Sequence, residues 1–406
     1  MTGYRARFVL PIASPPVPDG WVTVDAGRIV GVGGGCIPDG QDRIEERDLG
    51  SVALLPGLVN AHTHLELSHL RDEIPPASEF VTWIRGVLGA RRTGPDPAAA
   101  GVVDALRRAI EECVASGTVA VGDISNTLVP YRMLVESALS GVVFYELIRF
   151  NAPDGEGLVR AALERLAPLV PEGGVRASLA AHAPYSVAPS VFRALARAMD
   201  AHPSLRPCSV HLSESPAEVE FIATGSGPWR DLLEQIGAWD PDWTAPGISP
   251  VQYLEEQGFL DARILAVHGV QMTRGDLARL ADRGATLVTC PRSNGHTGAG
   301  APPLEAFYAS GVPIAIGTDS LASTPDLNVF AELATVRALA PGVPAARLLD
   351  SATRIGARAL GLGADLGTLE PGRRARILAV RIPPAVDDVE EYLVSGVSPD
   401  QLSWVG

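Results

Sequence analysis

The stretch LVNAHTH, residues 58–64, joins an apolar strand pattern to two histidines and indicates the fold. Seven further apolar runs follow it, separated by stretches with apolar residues at the three- and four-residue spacing of helices. They are TVAVGDI (118–124), GVVFYELI (141–148), VRASLAAHA (175–183), CSVHL (208–212), RILAVHGV (263–270), ATLVTC (285–290) and VPIAIGTD (312–319). Eight apolar strands alternating with helices predict an α/β fold, a (β/α)8 TIM barrel.

Short strand patterns flank the predicted barrel at both ends of the chain. Residues 1–55 and 366–406 contain strand runs punctuated by Gly, Pro and Asp turns. We therefore predict a small β-sandwich domain built from both chain termini, with a catalytic barrel over residues 56–365. The connection over residues 215–250 is long and rich in Trp, Pro and Gly. It favours a lid or binding element, with a surface insertion of no role as the alternative.

The composition excludes several kinds of chemistry. All 33 basic residues of this 406-residue chain are arginines. The chain therefore has no phosphate-binding P-loop lysine, no Schiff-base lysine and no carboxylated lysine to bridge two metal ions. The formal net charge of −14 argues against nucleic acid or an anionic membrane surface as a partner. We expect a small-molecule substrate.

The cysteines and the first residues of the chain predict its compartment. The four cysteines are scattered without a CxxC pair, as in proteins of a reducing compartment. The start lacks the charged and apolar regions of a signal peptide. No stretch approaches the roughly 20 apolar residues of a membrane helix. These patterns predict a cytoplasmic protein without a membrane partner.

Metal-binding residue types lie at the ends of the predicted strands. His62 and His64 are two residues apart, so their side chains point to the same side of one strand. His211, His268 and Asp319 end three further strands, and a barrel presents its catalytic groups at that end. Imidazole and carboxylate ligands suit a divalent cation. The pattern predicts a metal site at the barrel mouth.

Five motifs carry a resemblance to a known family. PGLVNAHTHLE (56–66), HLSE (211–214), VHG (267–269), CPRSN (290–294) and GTDS (317–320), in this order, resemble the amidohydrolase superfamily and its aminohydrolase, or deaminase, branch. The resemblance covers nearly the whole chain. One departure is Arg376, where the family usually carries an Asp, but this position lies in the small β domain. The resemblance implies the same barrel and metal-dependent hydrolysis.

Three segments narrow the resemblance to a subgroup. HTHLELS (62–68), a long insertion that ends in PVQYL (250–254), and GTDSLAS (317–323) look like the aminodeoxyfutalosine deaminases of menaquinone biosynthesis. The substrate of that subgroup joins adenine to a benzoate carboxylate through a ribose-derived linker. The resemblance therefore implies a carboxylated adenine nucleoside as substrate.

The resemblance also implies a set of metal ligands. They are His62, His64, His211 and Asp319. Because no lysine is available to bridge a second ion, we expect one divalent cation per chain. Zinc is the first expectation and ferrous iron the alternative, since both suit this ligand set.

Catalytic roles follow from the same resemblance for Glu214, His268 and Asp319. A metal lowers the pKa of bound water towards about 7 and provides hydroxide, which attacks the amino-bearing ring carbon. His268 handles a proton beside that water, Asp319 is both ligand and catalytic residue, and Glu214 is the general acid/base for the ring nitrogen. Ammonia is the leaving group.

Six residues are predicted to contact the substrate. They are His182, Arg149, Glu66, Phe80, Trp83 and Ser320. In related deaminases a histidine at the position of His182 hydrogen-bonds the substrate; a second metal ligand or a purely structural imidazole is the alternative. Arg149 follows the third strand and could bind a substrate carboxylate or a ribose hydroxyl, or form a surface ion pair.

The remaining predicted contacts each have an alternative. Glu66 follows the first strand and could bind substrate or hold neighbouring side chains in place. Phe80 and Trp83 could stack on a substrate ring or form a loop core. Ser320 could touch substrate or orient Asp319.

Three functions remain open from the sequence. The first is hydrolytic deamination of an adenine-type nucleoside, with 6-aminodeoxyfutalosine as the best candidate. The second is another aminohydrolase reaction, on S-adenosylhomocysteine, methylthioadenosine, adenosine, guanine, cytosine or a triazine. The third is a non-enzymatic scaffold, which the intact set of ligands disfavours. The sequence is compatible with a homodimer but does not fix the oligomeric state.

Overall fold

The computed structural model describes residues 1–38 and 44–405, which form fifteen strands. The strands are β1 (Thr2–Val9), β2 (Val17–Asp25), β3 (Arg28–Gly34), β4 (Glu45–Asp48), β5 (Val52–Pro56), β6 (Leu58–Thr63), β7 (Thr118–Ser125), β8 (Ser140–Leu147), β9 (Val175–Ala181), β10 (Cys208–Leu212), β11 (Ile264–His268), β12 (Thr286–Thr289), β13 (Ile314–Ile316), β14 (Ile377–Arg381) and β15 (Leu402–Val405).

Fifteen α-helices lie among these strands in the described residues. They are α1 (Phe80–Thr93), α2 (Ala100–Ala115), α3 (Val129–Val135), α4 (Gly155–Leu166), α5 (Pro189–Ala201), α6 (Pro216–Thr224), α7 (Pro228–Gln235), α8 (Pro250–Glu256), α9 (Arg274–Arg283), α10 (Pro291–Thr297), α11 (Leu304–Ala309), α12 (Val329–Leu339), α13 (Ala345–Asp350), α14 (Gly356–Ala359) and α15 (Val389–Val394). Short 3-10 turns span Leu65–Leu70, Pro203–Leu205 and Pro399–Gln401, and a π-helical turn spans Ser351–Ile355.

Strands β6 to β13 form one parallel sheet in which each strand pairs with its neighbours in chain order. The sheet closes because the amides of Thr318 and Asp319, just after β13, donate to the carbonyl of His62 at 3.1 and 3.0 Å. The side chain of Asn60 reinforces this seam through two hydrogen bonds with Thr318. The predicted (β/α)8 TIM barrel is confirmed, with all eight strands where the apolar runs lie.

Apolar side chains fill the interior of the barrel. Val59, Phe144 and Val267 belong to one buried cluster, together with Leu360, which follows α14. Because this part of the interior is filled with hydrocarbon, polar side chains find room only where the strands end. The carboxyl ends of the strands therefore carry the candidate site.

Both chain termini build a second, mixed sheet. β5 pairs with β14 in antiparallel fashion, which joins the N-terminal strands to the C-terminal ones. β1 pairs with β2, β4 and β5. The small β domain from both termini is thus confirmed, and its seven strands are joined in a single hydrogen-bonded sheet rather than in two separate ones.

The connection over residues 215–250 is more helical than its composition indicates. The side chain of Ser215 caps α6 by accepting from the amide of Glu218, and Pro216 occupies the first helical position. Gly225, with φ of 71°, ends this helix. A second helix, α7, follows directly. Among the described helices, none combines the length and the apolar character needed to cross a membrane.

Candidate active site

The four predicted metal ligands converge at the carboxyl ends of the barrel strands. Nε2 of His62 lies 3.3 Å from Nε2 of His211 and 3.8 Å from Oδ1 of Asp319. Nε2 of His64 lies 3.5 Å from the same Oδ1. Ligand atoms this close to one another can share one cation at bonds of about 2.0–2.2 Å. The donor set of three imidazoles and one carboxylate fits zinc or ferrous iron.

The histidines of this cluster are held in their neutral form. Burial lowers the pKa of His64 to about 3, and it lowers the pKa values of His62 and His211 well below the ordinary 6.5. The neighbouring imidazoles lower the pKa values of His62 and His211 further, because a second positive charge would be repelled. Neutral imidazole is the state that binds a metal ion.

Hydrogen bonds fix the orientation of the Asp319 carboxylate. Its Oδ2 accepts from the hydroxyls of Ser293 and Ser323, so Oδ1 faces the histidines. Asp319 also has a φ of 63°, a conformation that non-glycine residues seldom adopt. The strained backbone and the two hydroxyls together aim one oxygen at the cluster. The hydroxyl of the next residue, Ser320, lies 3.3 Å from that of Ser323.

Glu214 and His268 form a second buried pair beside the cluster. Nε2 of His268 lies 3.5 Å from Oε1 of Glu214. The side-chain amide of Asn294 donates to Nδ1 of His268 at 3.0 Å, which leaves the ring proton on Nε2, facing the carboxyl group. Burial, with Asp319 and Glu218 nearby, raises the pKa of Glu214 well above its ordinary value. Glu214 can therefore hold a proton near neutral pH.

Glu218, on the first turn of α6, positions the loop that carries Glu214. Its carboxylate accepts from the backbone amides of Ser213 and Glu214, each at 2.8 Å. Ser213 has a φ of 52°, so these two bonds hold a strained turn in place. The sequence analysis did not single out Glu218.

A cavity of about 460 Å³ opens above the predicted metal ligands, and most of the predicted substrate contacts line it. They are His182, Arg149, Phe80, Trp83 and Ser320. Nδ1 of His182 is hydrogen-bonded to the hydroxyl of Ser186, which leaves Nε2 for a ligand. Phe80 and Trp83 are both buried on α1, with their rings stacked at a centroid distance of 6.3 Å. They form a wall of the cavity and a local core together.

Glu66 is the exception among these contacts. Its carboxylate accepts from the hydroxyls of Ser125 and Thr127 and from the amides of Asn126 and Thr127. It does not line the large cavity but a smaller one behind it. The substrate contact predicted for Glu66 is therefore corrected: with its oxygens occupied, this side chain holds the turn after β7 in place.

The predicted metal ligands and the cavity above them are consistent with the proteins that this chain resembles. The amidohydrolase family profile matches residues 53–397. The chain belongs to the amidohydrolase family. A family member from Deinococcus radiodurans, aminodeoxyfutalosine deaminase, is 37% identical over 334 residues, which cover 78% of this chain and 75% of that protein.

Two further relatives support this assignment. The 5-methylthioadenosine/S-adenosylhomocysteine deaminase of Moorella thermoacetica is 30% identical over 415 residues, which cover 95% of this chain and 88% of that protein. Among solved structures, an adenosine deaminase from Xanthomonas campestris with bound zinc is 28% identical. The two structures superpose with a TM-score of 0.82, and the superposition covers 99% of this chain and 90% of the Xanthomonas chain.

Membership of the amidohydrolase family gives the enzyme class. The protein is a metal-dependent aminohydrolase, a hydrolase of the deaminase type. This result excludes the non-enzymatic scaffold that the sequence left open. The dependence on a metal ion agrees with the cluster of His62, His64 and Asp319, whose ligand atoms lie within 4.8 Å of one another.

Two charged residues that line the cavity are not indicated by any pattern singled out in the sequence. Arg91, on α1, lines the cavity and donates to Oδ1 of Asn126 at 2.9 Å. Glu146, near the end of β8, lines it as well and is only 7% exposed. Glu146 could have been noticed as a lone carboxylate inside an apolar strand run. Arg91 carries no such signal, because nothing in its helix distinguishes it from Arg85 and Arg92.

The connection over residues 215–250 supplies part of the cavity wall. Trp229, Leu232 and Ile236, on or just after α7, all line it. The indole of Trp229 stacks on the ring of Tyr185 at a centroid distance of 3.7 Å. Arg85 of α1 donates to Gln235 of α7 and so joins the two helices. The connection therefore forms part of the cavity wall, and its role in binding stays a prediction.

Proposed function

We propose that this aminohydrolase deaminates an adenine nucleoside that carries a carboxylate at the far end of its 5′ substituent, with 6-aminodeoxyfutalosine as the substrate. The observation that carries this proposal is the charge at the outer end of the cavity. Arg149 is exposed there and lines the cavity, and it forms no ion pair with another described residue. A guanidinium so placed suits the planar carboxylate of a benzoate.

The apolar rim of the cavity supports an aromatic group at the same place. Leu88, Ile148 and Ile236 line the cavity and are 41%, 48% and 54% exposed. Large exposed apolar side chains grouped at a cavity mouth are typical of a binding surface. An aromatic ring that lies on this rim would place its carboxylate near Arg149.

The same charge distribution disfavours the alternative substrates of the relatives. The homocysteine part of S-adenosylhomocysteine carries a carboxylate that Arg149 could bind, but beside it an ammonium group, which needs an acidic partner. Glu146, Glu214 and Asp319 are the carboxylates among the described lining residues, and all three are buried deep in the cavity. Methylthioadenosine has no charge for Arg149 to bind. A carboxylated and otherwise apolar substituent matches the cavity better than either.

The reaction would take place between the four predicted metal ligands and the Glu214–His268 pair. His62, His64, His211 and Asp319 would hold a divalent cation, whose contribution when bound would be to lower the pKa of water. Glu214, which can hold a proton near neutral pH, would donate to the ring nitrogen next to the amino-bearing carbon. Nε2 of His268 faces the same carboxyl group and would stabilise charge as the proton moves.

His182 and the aromatic walls would hold the substrate for this step. With Nδ1 bonded to Ser186, His182 has Nε2 for the purine ring. The neighbouring rings of Phe80, Trp83 and Trp229 would exclude water from the nucleoside. Zinc is the cation we propose, because it suits this ligand set and is bound in the solved relative.

A deamination screen tests the proposal. The purified enzyme is given adenosine, methylthioadenosine, S-adenosylhomocysteine and 6-aminodeoxyfutalosine, and loss of the adenine absorbance and release of ammonia are followed. We expect the highest kcat/KM for 6-aminodeoxyfutalosine. A higher value for S-adenosylhomocysteine or methylthioadenosine would contradict the proposed substrate, and no deamination of any of the four would contradict the nucleoside class. Elemental analysis of the same preparation identifies the metal.

A further inference from the structure

Glu146 is a buried carboxylate of the cavity that the mechanism above does not use. It lies one residue before the end of β8. Its Oε2 accepts from the side-chain amide of Asn126 at 2.9 Å. Its Oε1 accepts a hydrogen bond from no group in the described part of the chain. This oxygen is not fully buried, since it is absent from the sealed polar atoms of the described residues. One carboxylate oxygen is therefore left facing the cavity.

Two residues fix the direction in which this carboxylate points. Arg91 donates from Nη1 to Oδ1 of Asn126 at 2.9 Å, and its Nη2 lies 3.6 Å from Oε1 of Glu66. Because Oδ1 of Asn126 accepts from Arg91, the Nδ2 of the same amide must face Glu146. The hydrogen bonds that link Arg91 to Asn126 and Asn126 to Glu146 thus hold Oε1 in one orientation.

The position of Glu146 places it next to the reacting groups but on a different side from the acid/base. One of its oxygens, a ring nitrogen of His182 and a ring nitrogen of His211 all lie within 4.8 Å of one another. Glu214, by contrast, follows β10, and His268 is the last residue of β11. No arginine or histidine among the described residues forms an ion pair with Glu146. Once a substrate fills the cavity and displaces solvent, this acceptor is costly unless the ligand donates to it.

The donors of an adenine nucleoside limit what Glu146 can bind. Such a molecule offers hydrogen-bond donors from its amino group and from its sugar hydroxyls. The amino-bearing carbon must lie at the cation, beside Glu214. The sugar hydroxyls are the remaining donors, and a carboxylate is a strong acceptor for them.

We infer that Glu146 is a specificity-determining residue that accepts a hydrogen bond from a sugar hydroxyl of the nucleoside, with Asn126 and Arg91 as its positioning residues. This inference rests on the proposed function. It makes the enzyme selective for ribonucleosides, because a site built to bind a hydroxyl leaves a buried acceptor unpaired when the hydroxyl is missing.

The test compares sugars rather than purines. The kcat/KM of the metal-loaded enzyme is measured for adenosine, 2′-deoxyadenosine and 3′-deoxyadenosine. We expect the wild type to prefer adenosine over at least one deoxy analogue by about 10- to 100-fold, the usual effect of one hydrogen bond to a charged group. In Glu146→Gln this preference should fall to about threefold or less, because the amide oxygen accepts from Asn126 and the NH2 group, which is only a donor, then faces the cavity.

Two further variants make the result specific. Asn126→Ala removes the donor that orients Glu146, so it should reduce the preference to a smaller extent. Glu136→Gln is the matched control, because Glu136 is exposed and paired with Arg132 far from the cavity; it should keep the wild-type preference. Metal content and thermal unfolding of each variant are measured alongside.

The outcomes separate this inference from the proposed function. If Glu146→Gln lowers kcat/KM for all three nucleosides by the same factor and keeps the preference, the hydroxyl assignment is overturned while the deaminase function stands. The same holds if the wild type shows no preference. If Glu146→Gln is too unstable to assay, an undiminished preference in Asn126→Ala overturns the assignment. Absence of deamination of any nucleoside by the wild type overturns both.

Discussion

Nε2 of His268 lies 3.5 Å from Oε1 of Glu214, and both side chains are buried at the mouth of the barrel. Glu214 follows β10 and His268 ends the neighbouring strand β11. A further residue fixes the position of each. Asn294 bonds to the far nitrogen of His268, and Glu218 accepts from the backbone amide of Glu214. A proton on this pair therefore stays beside the metal cluster and within reach of a substrate bound there.

Replacing Glu214 by Gln should abolish most turnover and keep the metal. The amide has nearly the same shape but can neither give nor take the proton of the ring nitrogen. A general acid/base contributes about 10²- to 10⁴-fold, so we expect kcat to fall by at least about 100-fold. Steady-state kinetics and elemental analysis on the same preparation provide the two readouts.

The control for this variant is Glu305→Gln. Glu305 is an exposed residue on α11, so this change alters one charge without touching the site. It should keep both metal and activity. Activity of Glu214→Gln within about threefold of the wild type would show that another group is the acid/base.

Removing His211 should remove the metal. His211→Ala deletes a ligand whose Nε2 lies 3.3 Å from that of His62, and three remaining ligands bind a divalent cation less tightly. We expect one metal ion per chain in the wild type and a clear loss in the variant. His202→Ala changes an exposed histidine instead and should keep full occupancy. Two ions per chain in the wild type, or full metal in His211→Ala, would contradict the mononuclear site.

The strand-end residues show what the sequence is able to predict. His62, His211 and Asp319 follow apolar runs that can only be barrel strands, so their positions in space follow from their positions in the chain. The same reasoning places His182 and His268. Parallel strands of a closed barrel bring their carboxyl ends together, and no further information is needed to group these side chains.

The walls of the cavity depend on contacts that no pattern reveals. Arg91 and Trp229 enter the cavity from α1 and α7, which lie outside the regular βα repeat. Their directions depend on how these helices pack on the barrel. Glu66 follows a metal-ligand strand as a substrate contact would, but its carboxylate turns away to bond to Ser125 and Thr127. Distances along the chain do not distinguish these outcomes.

The buried histidines should each add to the acid sensitivity of the metal-free enzyme between pH 6.5 and about 4. Burial lowers the pKa of His182 to about 4 and of His268 to about 3, whereas the unfolded chain titrates near 6.5. In this window the unfolded chain binds protons that the folded chain does not. The contribution of each such histidine to the free energy of unfolding therefore falls as pH falls, by up to about 1.4 kcal/mol per pH unit. Buried carboxylates such as Glu146 and Glu218, whose pKa burial raises to about 7, contribute in the opposite direction.

Urea unfolding of the metal-free enzyme from pH 4.5 to 7 measures this slope. His182→Gln should reduce the slope by about one histidine's share, since one of the depressed groups is gone. His202→Ala, at an exposed position, is the control and should leave the slope unchanged. Equal slopes in the wild type and His182→Gln would show that His182 is not held neutral by burial.

The final prediction concerns the carboxylate of the proposed substrate. Arg149 lies just after β8, bridges to Val187 through its backbone and lines the outer cavity beside Ile148. Losing one charge-assisted pair costs about 1.5–3 kcal/mol. Arg149→Met, which keeps an unbranched stem but removes the guanidinium group, should therefore lower kcat/KM for 6-aminodeoxyfutalosine by about 10- to 150-fold.

Plain adenosine distinguishes the causes of such a loss. Adenosine has no carboxylate, so its kcat/KM should change far less in Arg149→Met than that of the carboxylated substrate. Arg160→Met, on the exposed side of α4, is the matched control and should alter neither value. An equal loss on both substrates in Arg149→Met would mean that Arg149 acts on the nucleoside or on the barrel itself. In that case the benzoate carboxylate needs another partner, and the preference for 6-aminodeoxyfutalosine would have to be explained by the apolar rim of Leu88, Ile148 and Ile236 alone.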